Sequence, residues 1–251
     1  MTILKRILLS ATILTSVSVS SQGQILRDYV NDAQHAVGTF NKKNKSSGAL
    51  TESDISAGLK QALQVGAQNA TNKVSVTNGF FGNALIKVLM PPEVKKVETT
   101  LRQIGMGSQV DKMILTMNRA AEDASGKAVP IFVNAITSMS IQDALSILKG
   151  GNDAATQYLK SKTTASLTAA FRPVVAQSLD KVNATKYWAD VFNIYNDLPT
   201  TFRKVNPDLT GYVTERALNG LFVYIADEES KIRLNPAARV TDLLKKVFGG
   251  K

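Results

Sequence analysis

The chain contains no cysteine and only one histidine, His35, in 251 residues. Without cysteine there can be no disulfide bond, thiolate metal site, cysteine nucleophile or lipid-modified cysteine. The one histidine lies before the predicted packed domain, so a serine–histidine triad has no histidine there, and no site can be built from several histidine ligands. We therefore expect no metal and no cofactor, and the residues of many hydrolytic centres are missing.

Long apolar runs are also scarce, and none after the first residues reaches the roughly 20 apolar residues of a membrane span. At the start, residues 5–6 are basic, residues 7–19 are apolar but interrupted by serine and threonine, and residues 18–20 are small-x-small. This order is typical of a secretory signal peptide, and a single membrane anchor is the weaker interpretation. We predict a signal peptide over residues 1–21, with the cleavage site open between residues 20 and 23.

Acidic residues are the minority, at 20 against 30 lysines and arginines, which gives a net charge of +10. Removing the two basic residues of the signal peptide leaves 28 basic and 20 acidic residues, a net charge of about +8. A basic excess favours anionic surroundings. The lysines are dispersed and no nucleic-acid motif is present, so we expect no nucleic-acid partner. An anionic component of the cell envelope is the more available partner.

A stripe of apolar residues with a period near 3.6 runs through residues 110–139 and predicts the central helix. The stripe keeps its phase through Pro130, which favours one long helix kinked at the proline. Shorter stripes recur along the chain, about nine helical segments in all, with few strand signals. We therefore predict an all-α fold, an irregular multi-helix bundle in a single domain.

The composition of the chain separates an N-terminal segment from the predicted bundle. Residues 22–48 form an N-terminal segment and flexible linker, because the stretch NKKNKSSG at residues 41–48 carries three lysines and no apolar side chain. The all-helical domain is predicted over residues 49–249. Short amphipathic helices are predicted before this domain, at residues 24–40, and at its end, at residues 241–248.

Several helix ends are marked in the sequence. Capping boxes are predicted at residues 51–54 and 140–143, and Asp208 is predicted to cap the last long helix. Gly105 is predicted to end a helix opened by a proline pair. A helix start is expected near residue 153. A second apolar stripe, with a kink at Pro173, is expected after it and ends near residue 180.

Other stretches give weaker signals. Phe80 and Phe81, in a glycine-bounded loop, are either core plugs or a lid, and core plugs are the better interpretation. Residues 84–90 are β-branched and long apolar residues that favour an extended segment. Residues 187–195 are rich in aromatic side chains.

One polar cluster interrupts the central stripe. Asn118, Arg119 and Glu122 flank the apolar face, and an Arg119 ion pair with Glu122 or Asp123 is its ordinary structural explanation. The alternative is a partly buried polar site. The residues we would assign to a ligand site, as a hypothesis, are Asn118, Arg119, Glu122, Tyr158 and Arg239. No catalytic residue is predicted, and residues 227–229 with the basic residues after them are interpreted as a solvated face.

Five regions taken together resemble a bacterial family. They are residues 50–55 (LTESDI), 117–122 (MNRAAE), 140–145 (SIQDAL), 206–210 (NPDLT), and 235–239 (NPAAR) with 241–248 (TDLLKKVF). This combination is similar to the family known as domain of unknown function 4197. The resemblance implies an exported, mostly helical protein of Gram-negative bacteria, soluble or peripheral in the periplasm, and implies no activity or catalytic residue. Some similar proteins look like lipoproteins, from which this chain departs because it has no cysteine.

The leading functional hypothesis is a periplasmic helical protein that binds without catalysis. Its target would be an apolar small molecule held between helices, an anionic envelope component or an envelope protein. A competing hypothesis is a cell-envelope hydrolase or lyase that uses carboxylates such as Glu122. A third is a purely structural interaction module, which predicts an exposed apolar patch.

Overall fold

The computed structural model describes residues 51–197, 204 and 207–234. Its elements are α1 (Glu52–Val74), a 3₁₀ turn (Pro92–Val94), α2 (Lys95–Gln103), α3 (Gly107–Ser125), α4 (Ala128–Thr137), α5 (Ile141–Lys149), α6 (Ala154–Asp180), α7 (Ala184–Asp197) and α8 (Leu209–Leu234). The described residues contain no strand, so the predicted all-α, multi-helix, single-domain fold is confirmed. The predicted signal peptide, linker and two flanking amphipathic helices lie outside the described residues.

Helix α8 forms the centre of the packing and contacts α1, α3 and α6. Helix α6 also packs against α3 and α4, while α1 contacts α4 and α5. Apolar side chains from these helices form one continuous buried cluster. Within it, Leu221 of α8, Phe171 of α6 and Met117 of α3 are fully buried. Burial on this scale is the main favourable contribution to folding.

The prediction of one central helix kinked at Pro130 was wrong. The chain forms two helices, α3 and α4, separated by Gly126 and Lys127. Pro130 occupies the third position of α4, where the missing N–H costs no intrahelical hydrogen bond. Both separating residues keep right-handed helical dihedrals, so the apolar stripe stays in phase across the break.

Residues 154–180, by contrast, form the single continuous helix α6, with Pro173 inside it. The separate signals for Tyr158 and for the stripe around Phe171 belong to this one helix. Its buried positions recur every three to four residues from Ala155 to Leu179, which is the spacing of one helix face.

The predicted helix starts are confirmed. At α1 and α5 both hydrogen bonds of the capping box are present, between Thr51 and Asp54 and between Ser140 and Asp143. The Ser140 hydroxyl and backbone N–H both donate to the Asp143 carboxylate, which lowers its pKa. The Asp208 carboxylate accepts from the Gly211 N–H at 2.8 Å at the start of α8.

Gly105 ends the helix before the central pair, as predicted. It adopts a left-handed φ of +87°, and the Met106 N–H donates to the Leu101 carbonyl at 2.8 Å. This is the hydrogen bond of a Schellman C-cap, for which glycine is the favoured residue.

The interpretation of residues 227–229 as a solvated face was wrong for two of them. Glu228 and Glu229 are only 7% and 5% exposed. The Glu229 carboxylate accepts from the backbone N–H groups of Ala155 and Thr156, at 3.0 and 2.8 Å, and so caps the start of α6 from α8. An ion pair between Glu229 and Arg233, at 2.9 Å, gives this buried carboxylate a cationic partner.

No single helix in the described part of the chain is long and apolar enough to cross a bilayer. The stretch from α3 to α4 reaches that length and apolarity only together with α5, from which it is bent by 104°.

Candidate functional site

The polar cluster of α3 faces residues 75–91, the loop that joins α1 to the 3₁₀ turn. We call these residues the 75–91 loop. A connection of this length without helix or strand is uncommon inside a domain, and such loops are usually functional or disordered. Side chains of α3 and α8 hold the 75–91 loop at several points, and those contacts define the candidate site.

Asn118 fixes the later part of the loop. Its side chain is fully buried, with Oδ1 accepting from the Val88 N–H at 2.8 Å and Nδ2 donating to the Val88 carbonyl at 2.8 Å. Nδ2 also donates to the Ile114 carbonyl of its own helix at 2.7 Å. Since an amide carries one acceptor and two donor hydrogens, its donors are fully used by backbone groups.

Glu122 fixes the earlier part of the loop. It is 3% exposed, and its Oε1 accepts from the Phe80 and Phe81 N–H groups at 3.0 and 3.1 Å. Its Oε2 pairs with Arg119 at 2.5 Å. Both oxygens of the carboxylate are therefore engaged by this chain, and the buried charge is balanced by a cation and two N–H donors.

Arg119 continues this chain of contacts to the first turn of the loop. Its Nη2 donates to the Asn78 side-chain oxygen at 2.9 Å. Asn78 has a left-handed φ of +68°, a conformation that asparagine tolerates better than most residues. The predicted i+3 ion pair of Arg119 with Glu122 is thus confirmed, and it serves to hold the loop.

Helix α8 holds the opposite side of the loop. The Tyr212 hydroxyl donates to the Leu89 carbonyl at 2.8 Å, and the Asn83 amide hydrogen-bonds the Tyr224 hydroxyl. Burial raises the pKa of Tyr212, and the smaller effects of Arg216 oppose this rise. The raised pKa keeps the phenol protonated, so that it can act as the donor.

Apolar side chains of the loop complete the core beneath it. Phe80, Ile86 and Val88 are at most 7% exposed, so the prediction that Phe80 is a core plug is confirmed. Phe80 lies against Gly220 of α8, where an added Cβ would be 2.4 Å from the Phe80 ring. Glycine at this position lets the loop approach the helix.

Buried and exposed side chains alternate along residues 85–89 of the loop. Ile86 and Val88 are buried, whereas Leu85 is 83% and Leu89 is 56% exposed, with the half-buried Lys87 between them. We call Leu85, Lys87 and Leu89 the outer strip. Residues 84–86 form a turn and residues 87–91 are neither helix nor strand, so the predicted extended segment is not a β-strand but keeps its period of two.

Phe81 connects the outer strip to the polar cluster. It is half-buried, with Lys87 Nζ 4.0 Å and Arg119 Cζ 5.8 Å from the centroid of its ring. Both distances suit cation–π contact. Within the described part of the chain, Lys87 has no carboxylate partner within 4 Å, so its charge is available to a ligand.

Of the other two predicted site residues, one lies apart from this cluster and one is not described. Tyr158 lies on α6, where no hydrogen bond among the described residues links it to Asn118, Arg119 or Glu122. Burial and the nearby charge of Asp143 raise the pKa of the Tyr158 phenol. Arg239 lies outside the described residues.

The aromatic-rich segment lies in α7, and two of its aromatic side chains belong to the core. Trp188 and Phe192 are each 3% exposed and contact one another with ring centroids 4.4 Å apart. Tyr187 is 61% exposed. The two buried rings fill space between helices and leave no aromatic surface at those positions for a ligand.

Two pockets in the described part of the chain bear on the hypothesis of a ligand held between helices. A cavity of about 10 Å³ lies between α1 and α8, beside Leu59 and Ile232, which is room for about one water molecule. The other pocket is an open groove of about 740 Å³ along the small side chains of α6 around Pro173. Neither is a closed apolar chamber of the size that a drug-sized ligand occupies.

No group of three or more histidine, aspartate or glutamate side chains that could hold a metal ion occurs among the described residues. The carboxylate pair required by the hydrolase hypothesis is not assembled around Glu122 there, since the neighbouring Asp123 accepts instead from Ser178 at 2.8 Å. The chemistry of the cluster is therefore that of a clamp for the 75–91 loop.

The family model described as protein of unknown function (DUF4197) matches residues 49–249. The chain belongs to this family. The match covers most of the chain and confirms the resemblance seen in the sequence. No curated protein and no solved structure matches the chain.

Sequence reasoning missed the outer strip and its anchors on α8. The alternation of residues 85–89 is present in the sequence, but the alternation alone does not say which side is buried. Tyr212 and Tyr224 lie 123 and 141 residues from their partners in the loop, which no local pattern could reveal. The exposure of Leu85 near a lysine that has no carboxylate partner among the described residues appears only when the loop is folded.

Proposed function

We propose that this chain is an exported protein of the cell envelope that works by binding a partner at its surface, without catalysis. The outer strip carries this proposal, because it presents Leu85 and Leu89 to solvent from a loop that the fold holds in place. Two exposed leucines beside a cation form a small surface of mixed character, which suits an interaction better than solvation alone.

The way in which the loop is held supports this proposal. Ordering a long loop costs conformational entropy, and the structure offsets that cost with buried hydrogen bonds from Asn118 and Glu122. Buried Phe80 and Val88 supply apolar contacts on the inner side. The outer leucines contribute little to that stability, and a role in binding accounts for them.

The structure favours surface binding over catalysis and over an apolar ligand held between helices. A catalytic Glu122 would need an oxygen free for substrate, and both of its oxygens are engaged within the chain. A ligand enclosed between helices would need a chamber, whereas the enclosed cavity beside Leu59 measures about 10 Å³.

Export is inferred from the beginning of the sequence. Basic residues 5–6, the apolar run at 7–19 and the small-x-small pattern at 18–20 support a cleaved signal peptide. The net charge of about +8 that remains without residues 1–21 suits a compartment bounded by anionic polymers and lipids. Absence of cysteine is compatible with an oxidising compartment, because no thiol is at risk there.

The test is expression of the full chain in a Gram-negative host, followed by osmotic release of the periplasm and intact mass measurement. We expect the released protein to lack residues 1–21, or a segment ending within two residues of that limit. Native mass spectrometry of the same material, with solvent extraction, then reports whether a small molecule is carried. We expect none in stoichiometric amount.

Two results would contradict the proposal. Full-length chain retained in the cytoplasm would exclude export by a cleaved signal peptide. A stoichiometric apolar molecule released by solvent would move the binding site from the surface to the interior. Leu85→Ser should change neither the cleavage position nor the release, because the outer strip plays no part in export.

A further inference from the structure

We propose that the outer strip docks on an anionic phospholipid surface, with Leu85 and Leu89 inserted among the acyl chains and Lys87 at the level of the phosphates. This assignment names the partner of the surface-binding function proposed above and rests on it. The strip combines the two elements that peripheral membrane attachment uses, exposed apolar side chains and a neighbouring cation.

The apolar part of the argument is the direction of the two leucines. Ile86 and Val88 are 7% and 1% exposed and point into the core, so the alternate residues 85 and 89 point away from it. Leu85 is the most exposed of the large apolar side chains in the described residues, at 83%. Its side chain can therefore enter a membrane interface without any change in the fold.

The loop is also held so that the leucines cannot withdraw. Asn118 binds both backbone groups of Val88, and the Tyr212 hydroxyl binds the Leu89 carbonyl. On the other side of Leu85, the Asn83 side chain accepts from the Leu85 N–H at 3.1 Å. Because the loop is already ordered, docking would cost little further conformational entropy.

The charge near Phe81 favours an anionic surface. Lys87 lies over the Phe81 ring at 4.0 Å and has no carboxylate within ion-pair distance among the described residues, while the charge of Arg119 is balanced by Glu122. At the other end, Arg216 lies 5.5 Å from the Tyr212 ring, and the charges of Glu93 and Glu215 act on the same phenol. The positive charge of the strip is therefore that of Lys87, at its middle, and the chain without residues 1–21 carries about +8.

A lipid surface fits the strip better than a protein partner does. Lys87 is a point charge that can meet a phosphate from many directions. The backbone of the strip at Val88 and Leu89 already has partners within the chain, so little of it is left to pair with a peptide strand. Shallow insertion of two leucines with one cation requires no matching partner groove.

The experiment is co-sedimentation of the full chain, as recovered from the expression host, with vesicles. One set contains phosphatidylcholine alone and the other contains about one quarter phosphatidylglycerol. We expect tighter binding to the anionic vesicles, with weaker binding when the salt concentration is raised from about 0.05 M to about 0.5 M.

Variants assign that binding to the outer strip. Leu85→Ser should weaken binding to anionic vesicles roughly tenfold, the equivalent of about two buried methylene groups. Lys87→Gln should weaken it about fivefold, as expected for one basic residue near the surface. The matched controls are Ile141→Ser, which changes a side chain that is 46% exposed on α5, and Lys160→Gln on α6. Both controls should bind as the wild type does, and circular dichroism should show unchanged helicity in all four variants.

Equal binding to both kinds of vesicle, or wild-type binding by Leu85→Ser, would overturn the lipid assignment. No vesicle binding by a protein that is exported and carries no ligand would overturn it as well, while leaving the proposed surface function intact. A photo-crosslinker at position 85 could instead form adducts with an envelope protein in intact cells and none with lipid. That result would identify a protein as the partner of the outer strip.

Discussion

The Asn118 side chain makes the same pair of hydrogen bonds to the Val88 backbone that a neighbouring β-strand would make. The amide of Asn118 donates to the Val88 carbonyl and accepts from the Val88 N–H, both at 2.8 Å. All the atoms involved belong to buried residues. Removing one partner in such a site leaves the other without a hydrogen bond and without water.

Asn118→Ala should therefore lower the free energy of unfolding by about 3 kcal/mol, since it strands the Val88 N–H and carbonyl together. Urea unfolding measures this loss. Hydrogen exchange at the Val88 amide should accelerate more than exchange elsewhere in the loop. The matched control is Asn72→Ala on α1, where an exposed amide is removed and a change within about 0.5 kcal/mol is expected. An equal loss for the two variants would contradict the clamp.

Glu122→Gln should also destabilise the fold, by about 2–4 kcal/mol, because Arg119 loses its anion and the Phe80 and Phe81 N–H groups lose a charged acceptor. Urea unfolding again measures the change. A double-mutant cycle with Arg119→Gln should show coupling of at least about 1 kcal/mol between the two positions. A fully stable Glu122→Gln variant would contradict the structural role and revive the hydrolase hypothesis.

Gly220→Ala should cost about 1–3 kcal/mol, because the new methyl group would lie 2.4 Å from the Phe80 ring and 3.2 Å from Ile86 Cβ. Gly126→Ala is the matched control. Its φ is −59° and the nearest atom to the new Cβ is 3.6 Å away, so a gain of about 0.4–1 kcal/mol is expected. Thermal unfolding of the two variants should shift in opposite directions.

Acid should weaken the contact between α1 and α8 through Glu228. Burial acts to raise the pKa of Glu228, but hydrogen bonds from Lys231, Lys73 and Asn69 outweigh it and the pKa is lowered. A carboxyl with a lowered folded-state pKa contributes stability above its unfolded pKa of about 4.3 and loses it as the pH falls through the folded value.

The measurement for Glu228 is urea unfolding at a series of pH values from about 7 to about 3. We expect the stability of the wild type to fall as the pH drops below about 4. Glu228→Gln should be less stable than the wild type at neutral pH, and the difference between the two should shrink in acid. A difference that is independent of pH would contradict the role of the Glu228 charge.

The helix starts could be predicted because their causes are local. Thr51 and Asp54 lie within one turn, and so do Ser140 and Asp143, so the sequence alone determines both capping boxes. Pro130 was misinterpreted because a proline in a first turn and a proline in a helix interior leave the same apolar stripe. The helix breaks at Gly126, and the apolar periodicity carries no information about that break.

The site was predicted in part. Asn118, Arg119 and Glu122 were recognised as polar residues beside an apolar face, and the structure brings these three together. Their partners were not predictable, because Val88 and Phe80 lie 30 and 42 residues away in a region without a strong pattern. Buried Glu229 was missed for the same reason, since an acidic run reads as solvated until its distant partners are known.

The cap that Glu229 places on α6 also bears on the order in which the chain folds. The carboxylate and the N–H groups that it accepts from are separated by 73 and 74 residues. During synthesis the first turn of α6 stays uncapped until residue 229 has left the ribosome, and α8, which fills the centre of the core, arrives with it. A ribosome-bound chain that stops at α7 would hold α1, α3 and α6 without the helix they share, and cooperative folding would begin only after α8 is made.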